Sequence, residues 1–363
     1  MRDRFFDAAS SGSAPDWPAS IHSGRSQQPQ EAMPVTLPQH LQAQLQAGLV
    51  RRQQGYRGRF APSPSGALHR GNLRTALLSW LQARLQGGEW LLRIDDLDRP
   101  RNRPGADDQI LADLRWLGLV WDGPVVRQSQ RRGLYASVLS SLRRCGRLYP
   151  CGCSRRLLAD ISAPHGALAV YPGFCRQRGI GWGPRQGRLP SWRLRLLDAT
   201  LSWPEDSGRH GSLEAASEVG DVVLRRADGL VAYHLATAVD ELTLGITAVV
   251  RGEDLWASSG PQVAVMTALG AMPPRYWHVP LWRNSLGQRL SKRDGAEGLE
   301  GLRQSGGDAA SVIGLLAASL GLVPAATRLS AEELRQQLQL SDLLTMVGEP
   351  LGLIPQGAGP GEA

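Results

Sequence analysis

Tyr56-Arg-Gly-Arg-Phe-Ala-Pro-Ser63, the turn Pro62-Ser-Pro-Ser-Gly66 and the run Trp90-Leu-Leu-Arg-Ile-Asp-Asp-Leu-Asp98 decide the fold. The first reads as a short strand that stops at its prolines, because proline cannot donate to a sheet ladder. After it, Leu73, Ala76, Leu77, Trp80, Leu81, Ala83 and Leu85 recur at helical spacing, with Asn72 as a candidate cap and Gly87-Gly88 as the stop. Trp90 to Ile94 is apolar enough for a buried parallel strand and runs straight into Asp95 to Asp98. Strand, helix and strand make one βαβ unit. Such a unit holds its ligand at the carboxyl ends of the strands and at the helix N-terminus, here where Ser63 to Asn72 meets Asp95 to Asp98.

Outward from this unit, helices are expected at about Gly105 to Leu117 and Arg131 to Cys145. A cysteine-bearing stretch rich in Gly, Pro and Arg, at about 150–190, reads as an insertion. Regular signals resume in Asp221 to Arg225, Leu230 to Leu235 and Ile246 to Arg251, then in a helix near Gln262 to Leu269 and a strand-turn from Leu281 to Arg289. The 70 residues after Arg293 read as helical: Asp308 can cap one helix, and Ser330-Ala-Glu-Glu333 is a capping box for another. The expected fold is α/β: a Rossmann-like parallel sheet over 56–293 with the insertion at about 150–190, a helical segment over 294–347 and a flexible tail over 348–363. Residues 1–55 read as a disordered leader, because the first 50 hold seven glutamines and three arginines against four acids.

At 363 residues, 42% of them hydrophobic and 20% charged, the chain has the composition of a soluble globular protein of two or three domains. Collagen-like, coiled-coil and wholly disordered classes are excluded. No apolar run reaches the roughly 18–20 residues needed to span a bilayer. The start, Met-Arg-Asp-Arg, lacks the pattern of a secretory signal, so a cytoplasmic, membrane-free protein is expected. A net charge of +8 and a pI near 9.9 favour a polyanionic partner, although codon bias also produces arginine-rich surfaces. Of the 41 basic residues, Lys292 is the single lysine.

Two motifs carry phosphate chemistry. In Ser65-Gly-Ala-Leu-His69-Arg-Gly71-Asn72, the glycine permits close backbone approach, and His69 and the helix start can donate to phosphate oxygens. In Gly287-Gln-Arg289-Leu-Ser291-Lys292-Arg293, three cations beside a hydroxyl suit a loop closing on a triphosphate. Alone, the first is an ordinary capped helix start and the second an ordinary basic turn. Together, in this order around a Rossmann-like unit, they resemble the paired signatures of the class I aminoacyl-tRNA synthetases. Arg59-Phe-Ala-Pro-Ser63-Pro-Ser-Gly66, Leu92-Arg-Ile-Asp95-Asp-Leu-Asp98, Val249-Val-Arg251-Gly-Glu-Asp254 and Gly287 to Lys292 resemble the glutamyl branch of that family, over roughly Tyr56 to Val347. Two positions depart from its pattern: Asn72 replaces the second histidine of the first signature, and Asp95 replaces a glutamate.

The resemblance implies that glutamate is bound by Arg59, Phe60, Ala61, Pro62, Ser63, Asp95, Tyr233 and Arg251. It implies that ATP, with Mg²⁺, is bound by His69, Gly71, Asn72, Ser291 and Lys292, of which His69 and Lys292 are the catalytic pair. Two arginines, one acid and a phenol match a substrate with two carboxylates and one ammonium. Cys151-Gly-Cys153, followed by Tyr171-Pro-Gly-Phe-Cys175, offers three thiolates and a fourth donor for tetrahedral Zn²⁺; Cys145 and His165 are alternative ligands, and reduced buried cysteines are the plainer reading. By resemblance to the branch that modifies tRNA rather than charging it, Cys151, Cys153, Tyr171 and Cys175 form a structural zinc site. The short segment after the Lys-Ser loop has no room for an anticodon-binding region. That implies transfer of glutamate to the queuosine base at the wobble position of tRNA(Asp), by an enzyme expected to act as a monomer. The alternatives are a compact enzyme charging the 3′ end of tRNA(Glu) and a non-catalytic tRNA-binding relative.

Overall fold

A computed structural model describes residues 35–154, 170–185, 187–282, 299–304 and 306–347. Residues 283–298, and with them Ser291 and Lys292, lie outside the described residues, as do His165, the tail 348–363 and the first 34 residues. In chain order the molecule runs α1 (Gln39–Gln54), β1 (Arg57–Phe60), α2 (Arg70–Leu85), β2 (Glu89–Ile94), α3 (Ala106–Trp116), β3 (Val126–Arg127), α4 (Arg132–Arg144), β4 (Leu148–Cys151), β5 (Ser191–Leu194), β6 (Thr200–Ser202), β7 (Ser212–Glu214), β8 (Val222–Arg225), α5 (Tyr233–Thr243), β9 (Ala248–Gly252), α6 (Ser259–Ala268) and β10 (Arg275–Val279). Helices Leu299–Gln304, Ala309–Ala318, Ala331–Gln337 and Leu340–Val347 follow.

β1, β2 and β3 form a parallel ladder, and β9 and β10 form a second one. The Thr247 N–H donates to the Arg57 carbonyl at 2.9 Å, and Thr247 Oγ1 accepts the Arg57 N–H at 2.8 Å, which fastens β9 beside β1. β2 exposes only Glu89, as its apolar run requires. At the far ends, the Asp95 N–H donates to the Pro62 carbonyl at 2.9 Å and holds the two strand exits together. α2 buries Leu73, Leu77 and Leu81 completely, in a core that also takes Val312, Ile313 and Leu316 from the C-terminal helices. Each such side chain contributes roughly 1.5–3 kcal/mol. Asp308 accepts the Ser311 N–H at 2.9 Å, and Ser330 with Glu333 forms the reciprocal capping box.

The leader expectation is corrected over its last third. Gln39–Gln54 is a helix, although Leu41 and Gly48 are its only buried residues. Gly48 lies so close to α5 that a Cβ there would meet the Leu242 carbonyl oxygen at 1.9 Å. Arg51 Nη1 donates to the Thr243 carbonyl at 3.1 Å, and Arg52 Nη2 to the Glu241 carbonyl at 3.3 Å. A helix end leaves carbonyls without intrahelical partners, and α1 supplies donors to the last turn of α5. The run Leu230 to Leu235 also divides: Val231 makes an isolated bridge to Arg225, and Tyr233 begins α5. β4 and β5 stand at the two ends of the insertion, and β5 pairs antiparallel with β4 on one side and with β8 on the other.

Candidate active site

A cavity of about 600 Å³ opens at the carboxyl ends of β1, β2 and β9. Arg59, Phe60, Ala61, Pro62, Ser63, His69, Gly71, Asn72, Asp95, Tyr233 and Arg251 all line it, so the described positions expected to bind glutamate and ATP converge on one space.

The helix start differs in detail from expectation. His69, not Asn72, is the N-cap of α2: its Nδ1 accepts the Asn72 N–H at 3.2 Å, while Asn72 Oδ1 accepts the His69 N–H at 3.4 Å. A ring whose Nδ1 accepts carries its proton on Nε2, and that N–H is a donor for a phosphate oxygen. Gly71 makes this possible. A Cβ there would meet the His69 ring at 3.1 Å, so the glycine makes room for the imidazole to fold back over the first turn.

Behind the pocket lies an ionic lattice that sequence reasoning only half saw. Arg59 Nε donates to Glu241 Oε1 at 2.8 Å and its Nη1 to the Val250 carbonyl at 3.1 Å. Arg93 donates to both oxygens of Asp95, at 2.6 and 3.2 Å, and to Glu241 at 3.3 Å. Burial pushes the Asp95 carboxyl up to about 6, against the pull of Arg93. Burial also presses on Glu241, but Arg59 and Arg93 outweigh it and hold the carboxylate ionised. Asp240, fully buried beside it, accepts from Gln128, Arg131 and Tyr135 at 2.7–2.9 Å. Arg93 was legible: it stands on β2 two residues before Asp95, which follows the strand's last residue. Glu241 was legible too, two helical turns after Tyr233.

Arg251 is held on every nitrogen. Nε donates to His278 Nε2 at 3.0 Å, Nη1 to Gln262 Oε1 at 2.8 Å and Nη2 to Ser259 Oγ at 2.8 Å, and the guanidinium lies 4.8 Å over the Tyr276 ring. Tyr233, at 39% exposure, stands open at the pocket mouth. Arg74, another lining residue not foreseen, donates to the Pro280 carbonyl and lies 5.4 Å over Trp282, just before the stretch that leads to Lys292. Burial brings it down to about 10, so it stays cationic at neutral pH.

The cysteine stretch closes on itself. The Sγ atoms of Cys151, Cys153 and Cys175 lie within 4.8 Å of one another, and Cys153 and Cys175 are 3.6 Å apart. The Tyr171 hydroxyl stands 3.5 Å from Cys151 Sγ and 3.6 Å from Cys153 Sγ, and accepts the Cys175 N–H at 2.9 Å. Cys145 caps the end of α4 and is not part of the cluster. None of the four cysteines forms a disulfide.

The parallel sheet, the capped helix start and this pocket define a class I aminoacyl-tRNA synthetase catalytic domain. Residues 56–328 match the family described as tRNA synthetases class I (E and Q), catalytic domain, and the chain belongs to that family. Its curated relatives are more particular. It is 57% identical, over 84% of its length and 94% of the relative's, to the glutamyl-Q tRNA(Asp) synthetase of Prochlorococcus marinus (strain MIT 9303). It is 49% identical to the enzyme of that name from Nocardia farcinica (strain IFM 10152), over 74% of this chain and 86% of the relative. Among solved structures it resembles a glutamate tRNA ligase from Elizabethkingia meningosepticum in complex with its amino acid, with a TM-score of 0.64 and 28% identity. That match covers 79% of this chain and 65% of the ligase.

Proposed function

We propose that the protein activates L-glutamate with ATP and transfers it to the queuosine base of tRNA(Asp). The observation that carries the reading is the 57% identity to a glutamyl-Q tRNA(Asp) synthetase along 94% of that relative. The pocket supplies matching chemistry. Arg251 and the β1 turn from Arg59 to Ser63 face the carboxylates, and Asp95 and Tyr233 face the ammonium, as the lining of one cavity. The glutamate α-carboxylate, already ionised, attacks the α-phosphate in line to give glutamyl-adenylate and pyrophosphate, so no protein base is required. His69 donates its Nε2–H to the triphosphate, and Lys292 and Ser291 contribute from the second signature. Mg²⁺ accompanying ATP neutralises phosphate charge. In the transfer, a hydroxyl of the modified base attacks the carbonyl carbon of the glutamyl-adenylate; the ester bond forms, the acyl–phosphate bond breaks, and AMP leaves as the hydroxyl gives up its proton.

Zinc fits the cysteine cluster. A tetrahedral ion with Zn–S bonds of about 2.3 Å sets its sulfurs about 3.8 Å apart. Cys153 and Cys175 stand at 3.6 Å, with the Tyr171 hydroxyl as fourth donor. Cys151, Cys153, Tyr171 and Cys175 would hold it, and the ion would lock the insertion's shape.

For tRNA, the distribution of charge supports α4 and the insertion after it as the grip. Between Gly123 and Leu197 there are 14 arginines and one acid, Asp160, a net +13; the rest of the chain has 27 basic and 32 acidic residues, a net −5. Arg143, Arg144, Arg185 and Arg188 in this stretch are exposed. Phosphates bind such a face through counterion release. A cytoplasmic location agrees with a tRNA substrate, and no described helix is long and apolar enough to cross a membrane.

The test compares labelled glutamate on queuosine-containing tRNA(Asp) and on tRNA(Glu). Label on tRNA(Asp) is expected; label only at the 3′ end of tRNA(Glu) would replace this reading with the compact charging enzyme. Glutamate-dependent exchange of pyrophosphate into ATP is expected as well, and its absence would leave a non-catalytic relative.

A further inference from the structure

A guanidinium has five N–H groups in a planar fork. Arg251 spends three of them on protein, one from each nitrogen, so one N–H on each Nη is left to grip a carboxylate with two prongs. What aims that pair is the partner of Nε. His278 is buried, and its Nε2 accepts from Arg251 Nε at 3.0 Å and lies 3.3 Å from Ser259 Oγ. Ser259 Oγ already accepts from Arg251 Nη2, so its own proton is available to His278. The Arg251 contact requires Nε2 to be bare, because a guanidinium N–H can only donate. The ring must therefore be neutral, with its proton on Nδ1.

Glu205 enforces that tautomer. Its Oε2 lies 2.7 Å from His278 Nδ1, and both side chains are at most 1% exposed. The carboxylate is fixed in turn: Oε1 accepts the backbone N–H groups of Ser207 at 3.2 Å and His278 at 3.3 Å, and Oε2 accepts Trp203 Nε1–H at 3.1 Å. Against the cost of burial, hydrogen bonds from His278, Ser207 and Trp203 bring Glu205 down to about 2, so it is ionised throughout the working range. Burial keeps His278 below its ordinary value, with Glu205 opposing and Arg251 and Arg209 reinforcing that depression, which leaves the ring neutral. Tyr276 stacks on the imidazole at 5.8 Å and 2°, and so fixes the ring plane.

We propose that Glu205 and His278 are positioning residues: a buried carboxylate–imidazole pair that aims the two remaining N–H groups of Arg251 at a substrate carboxylate. The chain of contacts crosses the fold. Glu205 lies between β6 and β7, His278 on β10 and Arg251 on β9, so the hairpin beyond the insertion helps to set the amino-acid pocket. The inference rests on the reading of Arg251 as a glutamate ligand, and the test separates the two.

The experiment measures KM for glutamate and for ATP in pyrophosphate exchange, with the full chain, for Glu205→Gln, His278→Phe and Arg251→Ala. A misaimed hydrogen bond to a charged group is worth roughly 1.5–3 kcal/mol, so the expected rise in glutamate KM is about 10- to 100-fold in Glu205→Gln and His278→Phe, with ATP KM unchanged. A merely structural role would move both constants together or neither, and that result would overturn the proposal. Glu205→Gln changes one atom and keeps the assay available if His278→Phe does not fold. Nitrogen NMR of the imidazole should show His278 protonated on Nδ1; an Nε2-protonated ring would also overturn it. If Arg251→Ala raises glutamate KM and the other two do not, the positioning claim alone fails. If Arg251→Ala leaves it unchanged, the ligand reading fails first.

Discussion

The pocket and the cysteine knuckle both keep polar groups from water, but they compensate them differently. In the pocket, opposite charges answer one another within the chain: Arg59 with Glu241, Arg93 with Asp95, Arg131 with Asp240. In the knuckle, three sulfurs and a phenol crowd together, and Arg193 lies 3.7 Å over the Tyr171 ring. The pocket is therefore built by the chain itself before substrate arrives, whereas under the zinc proposal the knuckle's donors would gain their stabilisation from an ion supplied from outside.

The sharpest way to break this contrast is Glu241→Ala. Removing it leaves Arg59 and Arg93 buried without their shared partner, and breaking a buried pair costs about 3–5 kcal/mol, readable as a lowered denaturation midpoint. A loss below 1 kcal/mol would mean that the lattice is not what holds the pocket. For the knuckle, Cys153→Ser or chelation should take zinc from about one ion per chain to none and speed amide exchange across β4 and β5 by about 100-fold, with β1 and α2 unaffected. Equal zinc content in wild type and variant would sink the metal site.

A smaller effect separates the ends of the pocket by pH. Asp95 has a folded value of about 6, above the roughly 3.9 of an unfolded aspartate. The sign follows. Its contribution to stability is present below about 3.9 and is lost as pH rises through about 6, while the carboxylate that can meet an ammonium appears over the same interval. Glutamate affinity should therefore strengthen as pH rises through 6, and Asp95→Asn should flatten that dependence. The smallest expected effect lies on α4 and the insertion: reversing Arg143, Arg144, Arg185 and Arg188 to Glu should weaken tRNA binding by about tenfold or more and reduce its salt dependence, with pyrophosphate exchange unchanged. Undiminished tRNA binding would move the grip elsewhere.

Where the signal is local, the residues announced themselves. The βαβ unit from Tyr56 to Asp98 follows from proline punctuation, helical spacing and an apolar strand, and it brings His69, Gly71 and Asp95 to one cavity. α1 was hidden because one leucine and one glycine make its buried contact, and its arginines bind carbonyls, which hydrophobic periodicity does not register. Asn72 read as a cap, yet the reciprocal box with His69 gives the cap to the histidine. Glu205 and His278 are 73 residues apart, and nothing in the local sequence of either points to the other. Arg93 and Glu241 sit at legible spacings from Asp95 and Tyr233, but their value as a lattice emerges only when β2 meets α5.

The central claim is that the glutamyl group ends on a base rather than on a 3′ ribose. The direct measurement is mass spectrometry of the wobble nucleoside from tRNA(Asp), digested after incubation with the protein, ATP and glutamate. The account predicts queuosine heavier by one glutamyl residue, with no such product from tRNA(Asp) lacking queuosine. Unmodified queuosine, with glutamate found instead on a terminal adenosine, would contradict it.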